Sequence, residues 1–146
     1  MTEGLHTLRL GVSLGATHDS AKRYPPPSCH PDTRKAVRQI ILDWIGNESS
    51  ASSFFWFYGP AGAGKTASLQ AIAEFLCIPS GSDQNFRGSF FFSRGRDQGH
   101  FLFSTIAYQL ALNVPGLRHH GIMKLNPILY TKSMDAQLQT LIVDAF

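Results

Sequence analysis

Cysteine is scarce in this chain: Cys29 and Cys77 stand alone among 146 residues. Two thiols so far apart exclude a disulfide framework and a CxxC metal clip. Charge is scarce as well, at 16% of residues, with 13 Lys+Arg against 10 Asp+Glu and a formal net charge of +3. No dense basic stripe accompanies that balance, so a nucleic-acid partner is not expected. Long apolar runs are missing too. The longest, Phe54-Phe55-Trp56-Phe57-Tyr58, is far short of the roughly 20 residues of a spanning helix, so no membrane partner is expected. Met1 to Arg9 holds neither a basic n-region nor an apolar h-region, which speaks against a secretory leader. Internal repeats and low-complexity tracts are absent. What is present, 43% hydrophobic residues, suits a folded chain of ordinary domain length, expected in the cytoplasm.

Order is expected to begin at Asp32. Residues 1–31 show no sustained periodicity and end in Tyr24-Pro25-Pro26-Pro27-Ser28-Cys29-His30-Pro31, where three prolines impose an extended passage. They read as an irregular N-terminal arm, with residues 32–146 as the domain. Asp32 can cap a helix starting at Thr33. Val37, Ile40, Ile41, Trp44 and Ile45 then form one apolar stripe, and Gly46-Asn47 supplies the stop. Phe54 to Tyr58 has the pattern of a strand buried on both faces. Leu69, Ile72, Ala73, Leu76 and Cys77 mark a second helix, ended by Pro79-Ser80-Gly81. A second apolar strand is predicted at Ser89-Phe90-Phe91-Phe92-Ser93. Helices follow around Phe103 to Ala111, closed by Pro115-Gly116, and from Ser133, with a shorter amphipathic piece from Leu117 to Leu125.

Between the first strand and its helix lies Gly59-Pro60-Ala61-Gly62-Ala63-Gly64-Lys65-Thr66, which fits GxxxxGK[ST] at every fixed position. Glycines let the backbone turn successive N–H groups inward as a nest for phosphate oxygens. The helix behind adds the positive end of its dipole. Lys65 would bring a compact charge to the β- and γ-phosphates, and the Thr66 hydroxyl would ligate Mg²⁺. A chance match of this pattern is expected in roughly one chain of this length in two hundred at ordinary residue usage. Here it also sits between a predicted strand and a predicted helix, the context the chemistry needs.

Hydrolysis needs a further carboxylate at the end of a neighbouring strand, to hold Mg²⁺ and orient water. Asp144, after Leu141-Ile142-Val143, is the one candidate, as a pseudo-Walker B acid. Those three residues keep helical spacing with Met134 and Leu138, so a helix end is favoured and no catalytic residue convinces. Arg94 and Arg96 follow the second strand and could face a phosphate, though a solvated pair is the simpler reading. Cys29-His30 with His119-His120 lack the short paired offsets of a zinc site.

The ordered series Cys29-His30-Pro31-Asp32-Thr33-Arg34, Trp44-Ile45, Gly59 to Thr66, Ser89 to Arg94 and Thr105-Ile106-Ala107-Tyr108-Gln109-Leu110 is similar to the NACHT-type P-loop domain of fungal NOD-like (STAND) proteins. This is the nephrocystin-3-like N-terminal family. Leu117-Arg118, Lys132-Ser133, Gln137 and Leu141-Ile142-Val143 continue the likeness, which covers residues from about 16 to 146. The resemblance implies a nucleotide-controlled switch that binds ATP or GTP with Mg²⁺ in a protein that links an effector region to repeats and oligomerises. It implies that Thr33 and Arg34 lie near the base, at the nucleotide periphery, and that Arg94 follows an outer strand. It also implies that the Walker B strand and later subdomains come after this chain.

The expected fold is therefore α/β: a three-layer P-loop NTPase with a parallel sheet, truncated after the second strand and its following helices. Its two strands are not expected to form a full ladder with each other. The expected function is a nucleoside triphosphate-binding module of a signalling protein, with hydrolysis by this chain alone not expected. An inert truncated fragment and a small-molecule phosphotransferase are the alternatives.

Overall fold

A computed structural model describes residues 3–27, 34–49, 51–78, 86–94, 98–114, 116–117 and 127–144. They divide into two compact units, Met1–Lys22 with Arg87–Phe146, and Arg23–Phe86. The helices are α1 (Glu3–Leu10), α2 (Lys35–Gly46), α3 (Lys65–Leu76), α4 (Leu102–Asn113) and α5 (Met134–Leu138). A π-helical turn, Gln139–Val143, continues α5 directly, so Leu141-Ile142-Val143 is helical rather than a strand.

In the first unit, α4 is the element on which the others pack. Its Ala107 and Ala111 are buried, and their small side chains leave room for Leu8 of α1, Leu129 and Leu141. Leu5, Phe103, Tyr108 and Ile142 flank this cluster. Leu8 and Leu141 are fully enclosed, and each such burial contributes about 1.5–3 kcal/mol. Hydrogen bonds tie the N-terminal segment down as well. Ser13 N donates to Thr105 Oγ1 at 3.0 Å, and the Ser104 hydroxyl donates to the Gly11 carbonyl. The residues read as an irregular arm thus contain a helix that completes a core. The α4 helix stops at Asn113 because Val114, extended at φ −111°, precedes a proline.

Gly11 sits where Tyr130 crosses it, and a methyl group built there would fall inside the Tyr130 ring. Gly11→Ala should therefore destabilise the chain by about 1–3 kcal/mol, the range for overpacking, as read by urea unfolding. The Tyr130 hydroxyl donates to the Thr7 carbonyl at 2.5 Å, and burial pushes its pKa from 10.0 up to about 12. A folded pKa above the unfolded value stabilises the fold fully below pH 10.0 and loses that contribution as pH rises towards about 12. Tyr130→Phe should remove this alkaline loss from the stability–pH curve while lowering stability at neutral pH.

In the second unit, Ile41 of α2 and Ala67, Ile72 and Ala73 of α3 are buried, along with Ser68 and Gln70. The Arg23 guanidinium donates to Gln70 Oε1 at 3.0 Å, and Gln70 Nε2 donates to Glu74 Oε1 at 2.8 Å. Burial lowers the Arg23 pKa. Helix α2 starts at Lys35, after Arg34 in a left-handed conformation at φ 63°, and Asn47 closes it in an extended one. The stop is therefore not the left-handed one that Gly46-Asn47 suggested. Asp32, proposed as the cap, lies outside the described residues.

The expected α/β fold is corrected here. No strand forms among the described residues, so the parallel sheet of a three-layer P-loop NTPase is not present among them. The P-loop NTPase architecture on which the ATP-binding expectation rested is corrected with it. Both apolar runs are extended, without strand partners among the described residues. Phe54, Trp56 and Tyr58 are 87%, 84% and 78% exposed, the reverse of a strand buried on both faces. The backbone of Ser89 to Ser93 is engaged differently. Ser89 exchanges two hydrogen bonds with the Gln109 amide, at 3.0 and 2.9 Å, and Phe91 N donates to the Ala16 carbonyl at 2.7 Å. Ser93 N donates to Gln98 Oε1 at 2.9 Å. Side chains and a backbone bridge to Ala16 take groups that a ladder would use.

Candidate functional site: the glycine loop at the start of α3

The loop from Gly59 to Gly64 is shaped by two left-handed glycines, Gly62 at φ 75° and Gly64 at φ 69°. That region is open to glycine without strain and costly to a side chain. Ala63 N closes a turn onto the Pro60 carbonyl at 3.3 Å. Gly64 then starts α3. Its carbonyl accepts both Ser68 N at 3.0 Å and Ser68 Oγ at 3.1 Å. No side chain caps this helix start, which leaves first-turn N–H groups turned toward the loop mouth. A helix of twelve residues also carries a positive partial charge of roughly half a unit at that end.

Two cations border the loop. The Lys65 ammonium folds back over it and donates to the Gly59 carbonyl at 2.6 Å and the Pro60 carbonyl at 2.8 Å. The Arg34 guanidinium lies against Gly64, in the volume that a side chain on Gly64 would fill. Thr66 is exposed at the first turn of α3. Gly59, Pro60, Ala61 and Gly62 are exposed, while Ala63, Gly64 and Lys65 are half-buried. The result is a solvent-facing loop with backbone donors, two positive side chains and one hydroxyl. Chemically it suits an oxyanion.

Residue spacing marks the loop itself, and the family resemblance implies Arg34 at the nucleotide periphery. The packing of Arg34 against Gly64 had no signal in the sequence, because 30 positions separate the two residues. Two other candidates belong to the other unit. Arg94 is an exposed turn residue of the other unit. Asp144 belongs to that unit too, in the turn after Val143, where Gln139 Nε2 donates to its Oδ1 at 2.6 Å. Thr33, Arg96, Cys29, His30, His119 and His120 lie outside the described residues. Among the described residues, no group of three or more His, Cys, Asp or Glu side chains could hold a metal. No helix among them is long and apolar enough to cross a membrane.

The nephrocystin 3 N-terminal family matches residues 37–145. The chain belongs to that family. The match takes in the glycine loop and α3 entire, together with α4, α5 and most of α2. Arg34 and all of α1 precede the matched residues. No curated protein and no solved structure matches the chain.

Proposed function

We propose that Gly59 to Thr66 holds the phosphate chain of a nucleoside triphosphate, and that this family member serves as the nucleotide-binding module of a NOD-like (STAND) signalling protein. The observation that carries the reading is the pairing of two left-handed glycines with an uncapped helix start, over which Lys65 is already folded. Backbone N–H groups of the loop and the first turn of α3 donate to phosphate oxygens. The Lys65 ammonium exchanges its two carbonyl partners for phosphate oxygens, a stronger charge-assisted contact. Arg34 supplies a second cation on the Gly64 side.

The donor set also fits Mg²⁺. That ion keeps several waters and is held by one or two protein oxygens plus substrate phosphates, and exposed Thr66 offers one such oxygen. The reading rests on the loop and its helix, and it assigns this chain phosphate binding without hydrolysis. Calorimetric titration with Mg-ATP, Mg-GTP and inorganic tripolyphosphate tests it. Saturable binding of at least one of the three is expected, and Lys65→Ala should weaken it at least tenfold. Equal binding by wild type and Lys65→Ala would overturn the assignment.

A further inference from the structure

The segment that follows α1 builds a cavity within the first unit. Ala16 N donates to the Ser13 carbonyl at 2.9 Å, so residues 13–16 form a turn with Leu14 and Gly15 at its corners. Both ends of this turn are fixed. Ser13 N donates to Thr105 Oγ1 at 3.0 Å, and the Ala16 carbonyl accepts from Phe91 N at 2.7 Å. Buried Gln98 braces it further. Its Nε2 donates to Ser13 Oγ at 3.3 Å, and its Oε1 accepts from Ser93 N at 2.9 Å. The cavity beside the turn has a volume of about 380 Å³, within the range of roughly 300–1,000 Å³ usual for small-molecule sites. Val12, Leu14 and Phe101 contribute apolar surface to it, and Ser13, Gly15, Lys22 and Gln98 contribute polar groups.

The polar lining is rich in donors without partners. Gly15 is buried, yet neither its N–H nor that of Leu14 makes a hydrogen bond among the described residues. A buried N–H left unpaired is costly, and such groups are ordinarily met by protein, water or ligand. Ser13 Oγ accepts from Gln98, but its own proton goes to no acceptor among the described residues. The Lys22 ammonium makes no hydrogen bond or ion pair among them either; its backbone N–H alone is engaged, by Ser20 Oγ at 3.2 Å. Of the described residues that line the cavity, Lys22 alone is charged, and no carboxylate competes for it.

These features select a ligand. Free N–H and O–H donors beside one lysine suit an acceptor with a single negative charge. A phosphate dianion would leave its second charge without a cation. Leu14 and Phe101, both exposed, offer a flat apolar group a surface to lie on. Volume sets the size, because about 380 Å³ at roughly 30 Å³ per water-sized group admits about a dozen non-hydrogen atoms. We propose that this cavity binds a small aromatic monocarboxylate. Its carboxylate meets Lys22, the Gly15 N–H and the Ser13 hydroxyl, and its ring lies against Leu14 and Phe101. The anchored turn holds these donors in place before the ligand arrives, which lowers the cost of binding.

Phenylacetate is the probe, titrated into the full chain and followed by amide chemical shifts. Saturable shifts are expected at Leu14, Gly15 and Gln98. Lys22→Gln should weaken binding about tenfold, the effect of losing one contact to a charged group. Lys22 is exposed, so the variant should keep the far-ultraviolet circular dichroism of the wild type. Acetate lacks the ring and benzyl alcohol lacks the charge, and each should bind about tenfold more weakly or worse. Lys65→Ala should bind phenylacetate as the wild type does, which separates this cavity from the phosphate loop. No saturable shift at the turn, or equal binding by Lys22→Gln, would overturn the proposal. So would binding of acetate or benzyl alcohol as tight as that of phenylacetate, or phenylacetate binding that is lost in Lys65→Ala.

Discussion

Leu141→Ala should destabilise the first unit by about 2–5 kcal/mol, the range for emptying a buried leucine site. Leu141 is 1% exposed and meets Leu8, Ala107, Ala111 and Leu129 in a single cluster. Small neighbours do not reach into the vacated space, because Ala107 and Ala111 have only methyl groups to offer. The upper half of that range is expected for this reason. Domains of this size hold only about 5–15 kcal/mol in total, so the loss is a large fraction of what keeps the unit folded. Urea unfolding of the variant against wild type reads it directly. A midpoint within error of wild type would mean that this cluster is not the core. The same measurement on Leu8→Ala is expected to give a similar loss, which ties the N-terminal helix to folding.

Gly64→Ala should have the second large effect, because two independent penalties fall on one residue. Its φ of 69° is a conformation that L side chains rarely adopt, with a cost of about 1–3 kcal/mol. The added methyl group would also occupy the volume held by the Arg34 guanidinium, so Arg34 must leave the loop. Stability and phosphate binding should fall together, as read by thermal unfolding and by titration with tripolyphosphate. Gly46→Ala provides the contrast. Gly46 lies in α2 with open space where its Cβ would go, so that substitution should be neutral or stabilising by up to about 1 kcal/mol.

Much of the helical structure was legible in the spacing of apolar residues. The stripe from Val37 to Ile45 became α2, that from Leu69 to Cys77 became α3, and Phe103 to Ala111 marked α4. Those signals are local, since a helix satisfies its own backbone. The two aromatic runs misled for the converse reason. Extended conformation is a local preference, whereas burial and a ladder require partners that the run does not specify. The N-terminal helix was missed because Gly4, His6 and Thr7 interrupt the pattern, although Leu5 and Leu8 keep the helical interval that carries its packing. At the site, glycines and a lysine at fixed offsets announced the loop. The approach of Arg34 to Gly64 depends on how α2 and α3 are positioned within their unit, and no pattern along the chain encodes it.

Amide chemical-shift mapping tests the central claim most directly. On addition of inorganic tripolyphosphate to the full chain, shifts are expected to concentrate on the backbone N–H groups from Gly62 to Ala67, with smaller changes at Arg34. The same titration of Lys65→Ala should leave those amides nearly unmoved. Shifts spread over Arg94 and the first unit instead, or none in the loop at saturating ligand, would contradict a phosphate site at the start of α3.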